Sequence, residues 1–452
     1  MSNLTTPKMF LHPRPNDKKV VLNALDDFDG FQIGASVPAS MMSFVRDVGR
    51  PFFVDPMLYM FTLPPAAVKN DKTGEIRASL SSLARRYGSL LSDNLGKQIL
   101  TAADFTQKLD VLHEITQNVL EYQRTKLETG EAPLFNPYYN KYADLEKAGK
   151  KVAHTTSATT PWVLMPPFFY FDNTDDPWYT TTLACARLAN RYIQSGEKLF
   201  PVIFTGRNLL EDPEAIKRVI TDFSDNSFKG IFIWLNAVDE ESAPIERLAG
   251  LAQLVAGLRA QGKVVFKLYG GYFSSTLHHC GLEGFSCSLN YRTSRNVFLY
   301  KWGAPAMPKP KFYIPRLHRV YPLEEADQLL RMFPFLRCKC GLCSETYGEN
   351  PNEFITAMKK PSHCELHFLN SRRHELQTVQ AGLPAVLEEF DDTLSQMKKD
   401  ATGVRHLSRW RTMLRDIIPQ NTTIEQPVAS VTPTTLRPAS HTFHHSPDYH
   451  HR

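Results

Sequence analysis

FPVIFTGRNLLEDPEAIKRVITDFSDNSFKGIFIWLN, residues 200–236, reads as strand, helix, strand. FPVIFTG (200–206) and GIFIWLN (230–236) are short runs of apolar, β-branched and aromatic residues, and DPEAIKRVITDFS between them carries a helical pattern. Both runs are continuously apolar rather than alternating. They therefore predict strands buried on two faces, as in a parallel sheet covered by helices.

The pattern repeats on both sides. Strands are expected at FQIGAS (31–36), PFFVDP (51–56), WVLMPPFFYF (162–171), KVVFKLYG (263–270), GFSCSL (284–289) and KFYIP (311–315), eight with the first two. Helical segments lie between them: SVPASMMSFVRDVG, DPWYTTTLACARLANRYIQSG and SAPIERLAGLAQLVAGLRAQG. The second opens on Asp-Pro and closes on Gly, which are start and stop signals. Eight βα units predict an α/β protein, a (β/α)8 TIM barrel, with an open doubly wound sheet as the alternative. No GxGxxG follows the first strand, which counts against a dinucleotide-binding version.

The expected organisation follows. Residues 1–30 form an N-terminal extension and 31–335 the barrel, with a helical insertion over about 58–160 after the second strand. The insertion holds two helical patterns, RASLSSLARRYGSLLSDN and AADFTQKLDVLHEITQNVLEYQRTKL. Residues 336–418 hold a cysteine cluster and C-terminal helices, one of them running from about 367 to 399. Beyond 419 the chain turns to Thr, Pro, Ser and His, a composition expected to be disordered.

The 452 residues are 42% hydrophobic and 22% charged, as in soluble globular proteins. There is no apolar run of 18 residues and no apolar core in MSNLTTPKMFLHPRPNDKK, so a cytoplasmic protein without a membrane partner is expected. A net charge of +5 is too mild to announce nucleic acid by itself. The basic residues are local, at RTSR (292–295), KPK (308–310), RLHR (316–319) and SRRH (371–374).

Three of the seven cysteines fall in CKCGLCSE, as Cys338, Cys340 and Cys343. Thiols this close in a reducing compartment point to a metal. Zinc takes four ligands in a tetrahedron, and His363, Cys364, His367 and His374 stand downstream as candidates for the fourth. His367 is favoured because it opens a strongly helical pattern. Four protein ligands leave no open position, so Zn2+ would be structural. An iron–sulfur cluster through Cys364, or three free thiols, are the alternatives.

C-x-C-x-x-C followed after some 25 residues by a helical His resembles the zinc site of tRNA-guanine transglycosylases. These enzymes exchange guanine for a 7-deazaguanine, and their DNA-acting relatives insert deazaguanines into DNA. The resemblance implies a (β/α)8 barrel with a zinc subdomain after the last strand. PFFVDPMLY places Asp55 at the family's strand-terminal aspartate, and YFDN places Asp172 at a second one. IFTG puts Thr205 where the family has glutamine, and GIFIWLN puts Trp234 and Leu235 over its paired glycines. GFSCSLNYRTSRN matches at Arg292, Arg295 and Asn296, but Ser286 stands at the nucleophilic aspartate. Tyr269, closing the strand KVVFKLYG, joins the expected substrate contacts.

In the family one carboxylate attacks the anomeric carbon, a second moves the proton of the departing and arriving bases, and a third holds the base. The resemblance implies that Asp55 and Asp172 fill the last two roles, with Ser286 at the catalytic position. Arg292 and Arg295 are expected on phosphate, with Arg372 and Arg373 extending that track. The partners implied are DNA or tRNA, a 7-deazaguanine-type base, and a second copy or partner subunit. A catalytically degenerate binding subunit, or a barrel enzyme acting on a small nucleoside, are the competing expectations.

Overall fold

A computed structural model describes residues 6–70, 73–125, 160–289, 291, 294–299, 310–348, 350, 352–397 and 402–417. Its centre is a seven-stranded parallel sheet. The strands are β1 (Lys8–Leu11), β2 (Gly30–Gly34), β3 (Phe52–Asp55), β4 (Val202–Thr205), β5 (Gly230–Leu235), β6 (Val264–Leu268) and β7 (Leu282–Cys287), in the order β3-β2-β1-β7-β6-β5-β4. The continuous apolar runs have the predicted consequence: every one of these strands is covered on both faces.

Period-2 alternation sorts the two faces. Phe10, Phe53, Phe232 and Phe266 point to one side and touch each other, with ring centroids 4.8 Å apart for Phe53–Phe232 and 5.2 Å for Phe10–Phe266. β3 is one edge of the sheet and β5 lies next to the other, so the sheet curls around this aromatic centre. Two glycines make room for it. A Cβ on Gly30 would sit 2.4 Å from the Phe10 ring, and one on Gly230 would sit 2.3 Å from Phe200. The other side carries Ile203, Ile231, Ile233, Leu235 and Val265. These pack in one cluster with residues of the helices Pro177–Ala189, Pro213–Asp222 and Ile245–Ala260.

Three expectations are corrected. The first strand, KMFL, lies in the stretch read as an N-terminal extension, yet β1 is an interior strand, paired with β2 and β7. Four residues between Pro7 and the His12-Pro13 pair are too short to carry a pattern. KFYIP is no member of the sheet. β8 (Lys311–Ile314) turns through Pro315–Leu317 and His318, at φ 48°, and pairs antiparallel with β9 (Arg319–Pro322). Residues 162–171 form no regular strand, since Pro166 and Pro167 have no N–H to donate. The Trp162 amide still donates to Phe52 O (2.7 Å) beside β3, and the Leu164 amide donates to Lys198 O (2.9 Å) beside β4. This segment thus reaches both edges of the sheet.

The insertion forms the helices Ala78–Tyr87, Ser89–Asn94, Ala102–Thr106 and Leu109–Thr125. The third starts at a reciprocal cap in which the Thr101 amide donates to Asp104 Oδ2 at 2.7 Å. The expected long helix at about 367–399 is two helices, Pro361–Ala381 and Leu383–Gln396. They break at Gly382, whose φ of 116° only glycine takes readily. The expected disordered tail lies outside the described residues. Among the described residues no helix is long and apolar enough to cross a membrane.

Candidate functional site

Cys338 and Cys340 sit in the loop after Leu336, Cys343 in the short helix Gly341–Thr346, and His367 in the second turn of Pro361–Ala381. Their ligand atoms lie within 4.8 Å of one another. His367 Nδ1 is 3.3 Å from Cys343 Sγ and 3.6 Å from Cys340 Sγ. A zinc tetrahedron with Zn–S of about 2.3 Å and Zn–N of about 2.0 Å has S···N edges of about 3.5 Å, so the spacing fits. The other ring nitrogen, Nε2, lies 2.7 Å from Tyr313 O on β8, and the ring lies flat against Phe312 at 4.2 Å. A carbonyl on Nε2 selects the tautomer that leaves Nδ1 free as a ligand.

The charges make the same point. Hydrogen bonds to Cys338 and Cys343 hold the Cys340 thiol down, and those to Cys338 and Cys340 push Cys343 up. The three sulfurs could all ionise in this space only around a cation. The group can hold a metal ion, and its donor set is consistent with zinc. The other candidates are engaged elsewhere. His363 Nδ1 meets Ala357 O, the buried Cys364 thiol donates to Met358 O, and His374 pairs with Gln377. Cys364 is therefore no ligand for an iron–sulfur cluster.

The second region is the C-terminal end of the parallel strands. Asp55 ends β3 with no exposed surface. It accepts from the Met57 amide (2.9 Å) and from the Tyr59 hydroxyl (3.0 Å). Burial pushes its carboxyl up, opposed by the charge of Arg295. Arg295 comes from the loop after β7, pinned to the end of β5 where the Ala237 amide donates to Arg295 O at 3.1 Å. Asn236 Oδ1 and Asn296 Oδ1 fix the same loop by accepting from the amides of Val297 and Phe298. Arg295 Nη1 reaches the hydroxyl of Tyr269, whose own φ is 57°.

Trp234 is fully buried in the curl of the sheet. It stacks on Phe204 at 4.1 Å, meets Tyr59 edge-on at 4.9 Å, and leaves its indole Nε1 without a partner. Ser286 is buried on β7, where its Oγ accepts from the Tyr269 amide at 3.0 Å. Asp172 is only partly buried. Its carboxylate accepts from the Tyr170 hydroxyl (3.0 Å) and the Asn208 amide.

Asp55, Trp234, Tyr269 and Arg295 are thus brought together. Thr205 and Leu235 are not: they pair with each other one residue past the inward Phe204–Trp234 pair, so they face the outer helices. Arg292 lies outside the described residues. Arg372 turns inward, 2% exposed, and donates to Glu375 at 2.7 Å, while Arg373 lies 3.7 Å from Asp29. The expected phosphate track loses Arg372.

Sequence reasoning missed His12, Gln32 and Tyr59. Burial first, then Arg295, lowers the His12 pKa to about 3. His12 Nδ1 and both amide atoms of the fully buried Gln32 have no hydrogen-bond partner. Tyr59 was findable, four residues past a strand-terminal aspartate. His12 was not, because its strand went unread. No protein-family model matches the chain, and no curated protein matches it in sequence.

Proposed function

We propose that the chain is a divergent transglycosylase-like protein that exchanges a base in DNA or tRNA, replacing guanine by a 7-deazaguanine. The observation that carries this reading is Asp55, buried at a strand's C-terminal end beside Arg295, in a chain that also carries the Cys3His group. We infer a complete (β/α)8 barrel in which residues 162–171 take the eighth position between β3 and β4; their hydrogen bonds to both edges support it. The metal is zinc, held by Cys338, Cys340, Cys343 and His367, and it has a structural role with no open position for chemistry. The protein works in the cytoplasm.

In this reading a carboxylate oxygen bonds to C1′ of the target nucleotide as the C1′–N9 bond breaks and its electron pair goes to N9. Asp55, whose carboxyl burial pushes up, gives N9 its proton. The incoming base returns a proton to Asp55 and displaces the carboxylate from C1′. Asp172 holds the base's amino edge, and Arg295 positions the sugar-phosphate.

A second reading, a catalytically degenerate nucleic-acid-binding subunit, is favoured by Ser286 at the nucleophile position and by Trp234 filling the inner space. The test incubates metal-loaded protein with tRNA or duplex DNA and labelled guanine or 7-deazaguanine. Incorporation lost in Asp55→Asn establishes exchange, and an adduct that survives denaturation names the attacking residue. Salt-sensitive binding without incorporation or adduct sinks the enzyme and leaves the subunit.

A further inference from the structure

Away from the Asp55 cluster, a cavity of about 50 Å³ lies where the loops after β5 and β6 meet the C-terminal helices. Glu241, Gly271, Tyr272, His318, Arg372 and Trp410 are among its walls. A single water needs roughly 10–15 Å³ by the same measure. The space therefore suits an ion of a few heavy atoms and is too small for a nucleobase.

Its polar lining is incomplete in one particular way. Arg372 gives Nη1 to Glu375 and has the Tyr313 hydroxyl close by, but Nε and Nη2, the other edge of the guanidinium fork, are buried without a well-formed hydrogen bond. That edge is the one that grips an oxyanion with two parallel N–H donors. His318, 3% exposed, lies flat on Tyr272 at 3.4 Å with its Nδ1 2.8 Å from Glu375 Oε1. Its Nε2 has no hydrogen-bond partner, and the Glu389 carboxylate is 3.7 Å away. With the ring proton on Nδ1, facing Glu375, Nε2 offers a lone pair.

Nearby carboxylates are compensated. Glu240 pairs with Lys267 at 2.8 Å, Glu241 with Arg319 at 2.9 Å, and Glu375 with Arg372. Burial pushes Glu389 toward its neutral form. The lining thus presents two fixed donors and one acceptor to a space of ion size, and leaving a guanidinium edge buried and unmatched is costly.

We propose that this cavity binds a phosphate group, gripped by Arg372 Nε and Nη2, with a P–OH donating to His318 Nε2. The experiment titrates metal-loaded, full-length protein with inorganic phosphate and with sulfate by calorimetry. Expected is saturable one-to-one phosphate binding, with sulfate, which carries no proton at neutral pH, about tenfold weaker or worse. Arg372→Lys keeps a cation beside Glu375 but loses the fork, and should weaken phosphate by about tenfold or more at unchanged metal content. Displacement of bound phosphate by a short oligonucleotide carrying a 5′-phosphate, but not by the same oligonucleotide without it, would identify a terminal phosphate monoester as the source, and no displacement by either the free ion. The proposal is overturned by no saturable binding up to about 10 mM, by equal affinity for sulfate, or by a folded Arg372→Lys protein that binds like wild type. If that variant does not fold, the preference of the wild type for phosphate over sulfate decides.

Discussion

Arg295 Nη1 donates to the Tyr269 hydroxyl at 2.7 Å while its guanidinium lies 5.6 Å over the Trp234 ring. One cation thus ties the loop after β7 to the ends of β5 and β6. It also opposes the burial that pushes the Asp55 carboxyl up. Arg295 and Asp55 should be coupled only while Asp55 is ionised. In a double-mutant cycle of Arg295→Met and Asp55→Asn, a coupling of about 1 kcal/mol is expected at about pH 8. Because the Asp55 pKa is raised, the coupling should fade at a higher pH than an ordinary carboxylate would give. Urea unfolding across the range measures it, and a pH-independent coupling would contradict the assignment.

The metal group makes a separate prediction. His367 contributes Nδ1 to the group, and its Nε2 contact with Tyr313 O ties helix Pro361–Ala381 to β8. Zinc content of about one per chain is expected by elemental analysis. Structural zinc in small domains is worth about 10–16 kcal/mol of binding free energy. His367→Ala and Cys343→Ser should therefore lose the metal and melt the C-terminal helices, seen as lost helical circular dichroism and new protease cuts after residue 336. His374→Ala, whose ring pairs only with Gln377 on the surface, should keep both metal and fold.

Much of this was legible in the residues, and the failures share a cause. The inner strands read correctly because Phe, Ile and Val run continuously where both faces are covered, as in β4 to β7. The cysteine group read correctly because three thiols within six positions have few other uses. β1 and β8 misled because strand identity depends on pairing partners, which lie 270 or more residues away for β1 and β7 and only a turn away for β8 and β9. A run of four apolar residues does not say which. Thr205 and Leu235 were placed by motif position, and only the register with Phe204 and Trp234 shows that they face outward. Arg372 was expected in an exposed phosphate track, and nothing in SRRH shows that its side chain turns inward with one guanidinium edge left over.

Glu241 supplies a pH prediction. Burial raises its pKa to about 7, only partly offset by Arg319 Nε at 2.9 Å. The folded pKa exceeds the unfolded one, so its contribution is fully present below about pH 4.5 and is lost as pH rises through about 7. Glu241→Gln should thus gain on wild type across that window, by no more than about 3 kcal/mol. Melting temperatures of the two proteins should converge in acid and separate above neutrality, with the variant higher. A gap that is constant with pH, or one that favours wild type in alkali, would contradict the raised pKa.

Trp234 decides whether the inner space is packing or pocket. Its ring is sandwiched by Phe204 and met edge-on by Tyr59, while the indole N–H has no partner. If the ring is packing alone, Trp234→Phe keeps the aromatic contacts, discards the orphan donor, and should cost less than about 1.5 kcal/mol. Trp234→Ala leaves a void and should cost about 3–5 kcal/mol by urea unfolding. His12, whose ring like that of Trp234 meets Tyr269, and Gln32 also carry unpartnered groups. If those groups together read a base, Trp234→Phe would weaken nucleic-acid or free-base binding by about tenfold at little cost in stability, since losing one matched polar contact is worth about 1–2 kcal/mol. Binding unchanged in Trp234→Phe, with stability lost in Trp234→Ala, assigns the ring to packing. It would place base recognition on Asp55, Asp172 and Gln32 instead.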